Sequence, residues 1–332
     1  MSTKLRWGLL STARINAKLI PAIRLAKRSQ LSAIASRDMT RALKYAAEWE
    51  IPHAYGSYQE MLASDTVDAV YISLPNDQHA EWAVRALEAG KHVLCEKPFA
   101  TKKDEVDQMI AAAHSSGCVL AEAFMYVHHP QTAIVLDLVR SGKIGTIHTV
   151  KGCFHFKLNN LDDIRANLSM GGGSIWDVGV YPLSFTQLLM QASPSEVTGW
   201  QHTGTTGVDM TFAAQMRYEG GALAQFTSSF ETPFQMGMDI LGSDGIIKVT
   251  RPFSGLEEGR VDLIPLNGVA QRVEIPPKHL YLGEVEDVEM AVFDGKKQRL
   301  SLGETSSHIR TVLALLQSAR ENHPISCGWS LD

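Results

Sequence analysis

The feature that most constrains the fold is the regular alternation of two sequence patterns over the first 120 residues. Short apolar runs, which predict strands, are separated by stretches with apolar residues at helical spacing, which predict helices. The predicted strands cover residues 5–10, 31–35, 67–72, 93–94 and 119–121, and the predicted helices cover 17–27, 39–49, 58–62, 79–89 and 104–114. Strands that alternate with helices of about 10–15 residues predict βαβ units in a parallel sheet. Such sheets bind ligands beyond the carboxyl ends of their strands.

The pattern changes after about residue 124. Long strand-like runs follow one another, and tight-turn sequences such as Glu219-Gly220-Gly221 predict antiparallel pairing. The predicted strands cover 148–156, 196–202, 212–218, 222–229, 235–241 and 245–250, and the predicted helices cover 132–141, 181–190 and 305–321. A chain of 332 residues is also long enough for two cores. We therefore predict an α/β domain over residues 1–123 and an α+β domain with a large, mostly antiparallel open sheet over residues 124–332.

Composition and charge argue against several classes of protein. A formal net charge of -5 offers no strongly basic surface for nucleic acid or for an anionic membrane. No run approaches the ~18 consecutive apolar residues of a membrane span, and the first residues lack the pattern of a signal peptide. Neither a zinc site nor a disulfide framework is predicted, because the cysteines are far apart and form no CxxC pair. We expect a cytoplasmic protein with reduced thiols.

The segment after the first predicted strand lies where a dinucleotide-binding fold places its pyrophosphate loop. In that fold, backbone N–H groups at a helix N-terminus bind the pyrophosphate, and three glycines permit the close approach. Ser11, Ala13 and Asn16 stand in the glycine positions here, so the GxGxxG fingerprint is absent, and an ordinary strand–helix turn remains the alternative. The residues predicted to bind the cofactor in this loop are Ser11, Thr12, Ala13, Arg14 and Ile15.

The end of the second predicted strand bears on the choice of cofactor. NAD enzymes often place a carboxylate there for the ribose hydroxyls, whereas an arginine suits the 2′-phosphate of NADP. The sequence has Ser36-Arg37 at this point, which favours NADP. Asp38 follows directly and would serve NAD if the turn were offset, so NAD remains a possible cofactor.

Four motifs carry a resemblance to a known family. They are ISLPNDQH at 72–79, GKHVLCEKP at 90–98, EAFMY at 122–126 and GGGSIWDVGVYP at 171–182. The chain resembles the Gfo/Idh/MocA oxidoreductases along essentially its whole length. The last motif is similar to that of a branch with dimeric dihydrodiol dehydrogenases, NADP-dependent D-xylose dehydrogenases and glucose–fructose oxidoreductase. The resemblance implies a Rossmann-type NADP-binding domain over 1–123 and a substrate-binding, oligomerising domain over 124–332. Val127 departs from it, since related sequences commonly carry arginine there.

The chemistry of such an enzyme assigns roles to three side chains. The nicotinamide supplies the hydride, and the protein must stabilise and protonate the reacting oxygen. Lys97 follows the fourth predicted strand and is expected to hydrogen-bond that oxygen, while Tyr181 is expected to be the proton donor. Asp177 would orient Lys97 or hold a substrate hydroxyl. If a helix begins near Asp177, then Asp177 and Tyr181 share one face of it, and no catalytic metal is needed.

The resemblance also implies the remaining site residues. Those expected to contact the cofactor are Leu74, Pro75, Asn76, His79, Glu96, Lys97 and Ala123. Arg165 would reach the cofactor or form a structural ion pair. The residues expected to contact the substrate are Tyr126, Phe154, Trp176 and Asp177. A sugar, a sugar derivative or a cyclic diol is the expected substrate, and Pro98 is expected to follow a cis peptide bond.

Assembly and two competing functions complete the expectations. The alternation within 222–229 and 235–241 leaves one sheet face without helices of its own, which predicts a homodimer, or a dimer of dimers, through the C-terminal sheet. A non-catalytic NADP-sensing regulator is the main rival, because some dinucleotide folds bind without turnover. Retention of Lys97, Asp177 and Tyr181 together argues against that rival. A glycosidase that uses the nicotinamide transiently would need a different, His-rich set.

Overall fold

The computed structural model describes residues 4–255 and 258–329. The chain forms two compact units. The first contains the residues up to His128 together with His279–Leu302, and the second contains His129–Lys278 with the residues from Gly303 onward. The division therefore falls a few residues beyond position 123, and a C-terminal segment returns to the first unit.

The first unit is built on a parallel sheet. Within the described residues it has six strands in the order β3-β2-β1-β4-β5-β6, all paired in parallel. The strands are β1 (Leu5–Leu10), β2 (Ser29–Ala35), β3 (His53–Tyr55), β4 (Ala69–Ile72), β5 (His92–Glu96) and β6 (Leu120–Ala123). The predicted parallel sheet is confirmed, and the edge strand β3 was not predicted. The order reverses between β1 and β4, the kind of position where such sheets bind ligands.

The helices of this unit follow the predicted alternation, with one addition. They are α1 (Asn16–Leu25), α2 (Met39–Glu48), α3 (Tyr58–Ala63), α4 (His79–Glu88), α5 (Lys103–Ser116) and the unpredicted α8 (Leu282–Asp294). Val285 and Val288 of α8 pack into the same core cluster as Trp7 and Tyr71 of the sheet. Helix α8, which lies far along the chain from the sheet's strands, therefore completes the core of the first unit.

The second unit is dominated by a larger sheet. Its nine described strands lie in the order β14-β13-β12-β11-β7-β10-β9-β8-β15, and all neighbours are antiparallel except the parallel pair β7 and β10. The strands are β7 (Ile147–His155), β8 (Glu196–Thr203), β9 (Asp209–Arg217), β10 (Leu223–Ser229), β11 (Gln235–Gly242), β12 (Gly245–Thr250), β13 (Arg260–Pro265), β14 (Gln271–Val273) and β15 (Ile325–Ser326). The predicted, mostly antiparallel sheet is confirmed, and β13 to β15 extend it.

Three longer helices belong to this unit: α6 (Pro130–Arg140), α7 (Val180–Met190) and α9 (Leu302–Glu321). Helix α7 contacts β7 and β10, and α9 approaches β8 closely enough for Ser318 Oγ to accept a hydrogen bond from Gly199 N at 3.1 Å. Along β8 and β10 the alternate residues point away from these helices, and Trp200 and Leu223 on that face are exposed. In the part of the chain that is described, no helix is both long and apolar enough to span a bilayer.

Candidate active site

The loop after β1 takes a conformation that glycine usually provides. Ser11 has φ of +113°, and its Oγ donates to the Ser73 carbonyl at 3.0 Å while accepting from Ala13 N at 3.2 Å. Asn16 is fully buried, and its Nδ2 donates to the Ser11 carbonyl at 2.7 Å. These contacts explain how the loop holds its shape without the glycine fingerprint: side-chain hydrogen bonds from Ser11 and Asn16 fix it to the end of β4.

The N-terminus of α1 is suited to an anionic group. Among the described residues, no side chain caps it and no acidic residue lies in its first turn. Thr12 is half-buried, Arg14 is exposed, and Ile15 packs its side chain against the core. The N–H groups of Asn16, Ala17 and Lys18 already donate to carbonyls three residues earlier. The helix dipole and the lack of an acidic side chain in the first turn still favour a negative charge here. The loop fits the pyrophosphate of a dinucleotide on these grounds.

The end of β2 separates the roles of its two charged residues. Asp38 caps α2, because its Oδ1 accepts from Thr40 N at 2.8 Å and from Arg41 N at 3.3 Å. Arg37 is exposed, and its charge lies close enough to the Tyr58 phenol to oppose the burial that raises the pKa of that tyrosine. Ser36 is buried, and its Oγ accepts from Asp38 N. The Asp38 carboxylate thus caps α2, and the Arg37 guanidinium lies at the surface.

The loop after β4 is tied to the loop after β5 by His79. This residue is fully buried, and its Nδ1 lies 2.8 Å from the Pro98 carbonyl and its Nε2 2.9 Å from the Leu74 carbonyl. Burial lowers the pKa of His79, and the hydrogen bonds to the two carbonyls oppose that fall. Leu74 is buried, while Pro75 and Asn76 are half-buried. His79 was predicted to bind the cofactor, but in the structure both of its ring nitrogens face backbone carbonyls.

Glu96 and Lys97 lie at the carboxyl end of β5. Glu96 accepts a short hydrogen bond from the Tyr71 hydroxyl, and its Oε2 accepts from Lys97 N at 3.2 Å. The Lys97–Pro98 peptide bond is cis. Lys97 is half-buried. Ala123 is buried at the end of the neighbouring strand β6, opposite Glu96 in the register. The ends of β4, β5 and β6 thus bring the predicted cofactor residues of this unit to one edge of the sheet.

A second carboxyl group near Glu96 was not predicted. Glu284 of α8 is buried, and burial together with the nearby charge of Glu96 raises its pKa well above the usual range. Burial, together with the same two carboxyl groups, raises the pKa of Tyr281. The environment of Glu284 therefore favours its neutral, protonated form. Sequence reasoning missed it because α8 was not predicted.

In the second unit, the predicted catalytic residues lie on an irregular helix. A 3-10 turn (Leu168–Met170) and three glycines lead into a π-helical turn (Ile175–Gly179), and α7 begins at Val180. The helix predicted over 181–190 is confirmed as α7, and Asp177 lies just before it, on the π-helical turn. The wider π-helical turn changes the angular step, so the four-residue spacing of Asp177 and Tyr181 does not by itself put them on one face.

Arg165 is paired with Asp177 within this unit. Its Nε donates to Asp177 Oδ2 at 3.0 Å, and its Nη1 donates to Asp163 Oδ1 at 3.1 Å. Both carboxylates raise the pKa of Arg165 further. Of the two roles predicted for Arg165, the described contacts show the ion pair, and that pair holds the Asp177 carboxylate in a fixed direction.

Tyr181 lies in a cluster of aromatic rings. It is 5 % exposed, and its ring centroid is 5.5 Å from that of Phe154 and 5.3 Å from that of Phe253. Phe154 and Phe253 stack on each other at 5.9 Å with an interplanar angle of 19°. Offset aromatic contacts of this kind fix ring orientation and add about 0.5–1.5 kcal/mol per pair. The phenol is therefore carried by a rigid, apolar support.

The other predicted substrate residues are more buried than expected for a pocket wall. Trp176 is buried on the π-helical turn. Tyr126, in the first unit, is fully buried with its ring edge-on to Phe124. Within the described residues, no group of three His, Cys, Asp or Glu side chains is placed to hold a metal ion.

Comparison with known proteins identifies the family. Residues 5–124 match the oxidoreductase family with an NAD-binding Rossmann fold, and residues 133–248 match the GFO/IDH/MocA C-terminal domain. A D-xylose 1-dehydrogenase (NADP(+)) of Haloferax volcanii is 37 % identical over 316 residues, which is 94 % of this chain and 97 % of the relative. The chain belongs to the Gfo/Idh/MocA oxidoreductase family. The resemblance carried by the four sequence motifs is thereby confirmed.

Other relatives are named for reactions on different compounds. A trans-1,2-dihydrobenzene-1,2-diol dehydrogenase of Sus scrofa is 32 % identical over 251 residues, 75 % of each chain. A 3-ketoreductase from Actinomadura kijaniata, solved with NADP, superposes with a TM-score of 0.88 at 29 % identity over 95 % of this chain and 98 % of that one. An aldose–aldose oxidoreductase from Caulobacter crescentus gives a TM-score of 0.91 at 24 % identity over 98 % and 100 %, which shows a shared fold.

Proposed function

We propose that this Gfo/Idh/MocA protein is an NADP(H)-dependent oxidoreductase acting on a sugar, a sugar derivative or a cyclic diol. Relatives at 37 % and 32 % identity are named a D-xylose dehydrogenase using NADP(+) and a dihydrodiol dehydrogenase. Both names describe oxidation of a hydroxyl-bearing carbon. A substrate that carries neighbouring hydroxyl groups is the feature common to them.

The end of β2 supports NADP over NAD. Asp38, the residue that would otherwise bind ribose hydroxyls, is engaged as the cap of α2. Arg37 and Arg41 are both exposed at the same point, and both act electrostatically on Tyr58. Two guanidinium groups near the Tyr58 phenol, at the end of β2, suit a 2′-phosphate.

The observation that carries the catalytic proposal is the support built around Tyr181. When bound, the nicotinamide supplies or accepts the hydride at its C4. Lys97 donates a hydrogen bond to the reacting oxygen, and Tyr181 delivers or removes the proton at that oxygen. Asp177, held by Arg165, orients a substrate hydroxyl or Lys97. A protein that only sensed NADP would need no buried phenol fixed by two aromatic rings.

The solved ketoreductase variants offer independent support. Structures of the Actinomadura kijaniata enzyme include a lysine-to-alanine variant and a tyrosine-to-phenylalanine variant, at positions 84 residues apart. Lys97 and Tyr181 are separated by the same 84 residues. This spacing supports the choice of these two side chains for the catalytic proposal.

The test is a fluorescence titration of the purified protein with NADPH and NADH, followed by an absorbance screen of aldoses, ketoses and diols. Tight NADPH binding, weak NADH binding and turnover of at least one of these compounds are expected. NADPH binding without turnover across the screen would favour the non-catalytic sensor. Binding of neither cofactor would overturn the proposal.

We further propose a cytoplasmic homodimer, or a dimer of dimers, formed through the outer face of the C-terminal sheet. Exposed Trp200 and Leu223 on that face support it, as does a concavity of about 500 Å³ between β7, β8, β9 and β10. The described cysteines are free thiols, as in a reducing compartment.

A further inference from the structure

Asp209 is a buried carboxylate with no role in the site described so far. It opens β9, is 4 % exposed, and its Oδ2 accepts from Ser174 Oγ at 2.7 Å and from Ile175 N at 2.8 Å. Ser174 Oγ also lies 2.9 Å from Ser228 Oγ of β10. Because Ser174 gives its single proton to the carboxylate, Ser228 is the donor in that contact. Asp209 thus ties the start of the π-helical turn to two strands of the sheet.

Gly173 lies against the other carboxylate oxygen of Asp209. Its φ is +131°, and a Cβ on it would lie 2.2 Å from Asp209 Oδ1. Both the backbone conformation and the carboxylate therefore require glycine here. The Gly173 carbonyl accepts from Asp177 N at 3.0 Å. A continuous chain of contacts runs from Asp209 through Gly173 to Asp177.

We propose that Asp209 is a positioning residue, which fixes the turn of residues 174–179 so that Asp177 and Tyr181 keep their working positions. The inference rests on the proposed function, because that function assigns Asp177 and Tyr181 their roles. Asp209 acts through Ser174 and the Ile175 N–H group. A carboxylate at the N-terminal N–H groups of a helical turn is also favourably placed with respect to the turn's dipole.

The carboxyl group of Asp209 lies in an environment whose burial disfavours its charged form. Burial raises the pKa of this carboxyl to about 6, and the hydrogen bonds from Ser174 and Ile175 oppose that rise. The charged residues on neighbouring elements have partners of their own. Asp177 pairs with Arg165 on the turn, and Glu231 beyond β10 accepts from Thr211 and lies near His202 of β8. At neutral pH the carboxylate remains ionised and accepts both donors.

The test compares Asp209→Asn and Ser174→Ala with Thr211→Val. Thr211 lies two residues along the same strand, but its hydroxyl bonds Ser229 and Glu231 rather than the turn. We expect Asp209→Asn to lower kcat by about 10- to 100-fold, the scale of a small misplacement of a catalytic group, with the KM for NADPH within about twofold of wild type. Ser174→Ala, which keeps the carboxylate, should lower kcat by a smaller factor. Thr211→Val should change neither constant.

Amide hydrogen exchange provides a readout that needs no turnover. Exchange over residues 174–181 should be faster in Asp209→Asn and in Ser174→Ala than in wild type, with the β10 and β11 amides unchanged. A wild-type protein that turns over none of the screened compounds would overturn the proposed function but leave this readout intact. Unchanged exchange over 174–181 in both variants, or an unchanged kcat in an active enzyme, would overturn the role of Asp209.

Discussion

The stability of the second unit is predicted to depend on pH through Asp209, and Asp209→Asn should remove that dependence. The pKa of the buried carboxyl is raised to about 6 from an ordinary 3.8. The folded protein therefore holds this proton more tightly than the unfolded chain does between those two values. Stability from this group is fully present below pH 4 and is lost as the pH rises through 6.

The magnitude follows from the shift. A difference of roughly two pKa units corresponds to about 3 kcal/mol over the whole titration, from about pH 3 to about pH 8. About half of that change falls between pH 5 and pH 7.5, where acid unfolding by other groups interferes less. Asparagine keeps the size of the side chain and cannot ionise, so it lacks this contribution at every pH.

The assay is urea unfolding of wild type and Asp209→Asn at several pH values from 5 to 7.5. The free energy of unfolding of the variant, relative to wild type, should rise by about 1.5 kcal/mol across this range. Thr211→Val serves as the control, and its curve should run parallel to wild type. If Asp209→Asn also ran parallel, the carboxyl would not titrate in this range, and the argument for an opposed buried charge would be refuted.

Three further predictions concern the cofactor, the proton donor and the assembly. Arg37→Ala should weaken NADPH binding far more than NADH binding in a fluorescence titration, and equal losses would remove Arg37 from the phosphate site. Tyr181→Phe should keep NADPH affinity but lower turnover by about two or more orders of magnitude; unchanged turnover would mean that another group supplies the proton. Leu223→Lys should halve the mass measured by light scattering. Leu25→Lys should leave the mass unchanged, although Leu25 is 58 % exposed and Leu223 is 52 % exposed. A monomeric mass for the wild-type protein would contradict the sheet-face dimer.

The elements that the sequence predicted well are those with a strong local pattern. The strands β1, β2 and β4 to β6 are mostly buried runs, and β1, β2, β4 and β5 are each followed by a helix with a buried face. Strand β3 has three residues and is partly exposed at the sheet edge, so it has no such pattern. Helix α8 was missed for another reason, because Glu284, Asp287 and Glu289 occupy buried positions that periodicity expects to be apolar.

The site residues also fall into those that the sequence predicted and those that it could not. Positions such as Lys97 follow a strand directly, and topology places strand ends at one edge of a parallel sheet. The π-helical turn could not be read from a four-residue spacing, because that spacing assumes a regular helix. Asp209 gave no local signal, since it lies 35 residues beyond Ser174 in the chain, and their hydrogen bond exists only after β9 and the turn have come together.

The two residues that the sequence concealed, Glu284 and Asp209, have one physical property in common. Each is a buried carboxyl group whose pKa is raised, and burying a carboxyl group costs free energy. Each also lies beside a motif that carries a predicted site residue: Glu284 near Glu96, and Asp209 at the turn that bears Asp177. Stability is commonly lower where function requires polar groups in the interior. The buried carboxyl groups of Glu284 and Asp209 therefore support the same site as the sequence motifs do. This support comes from burial and charge and does not depend on the family.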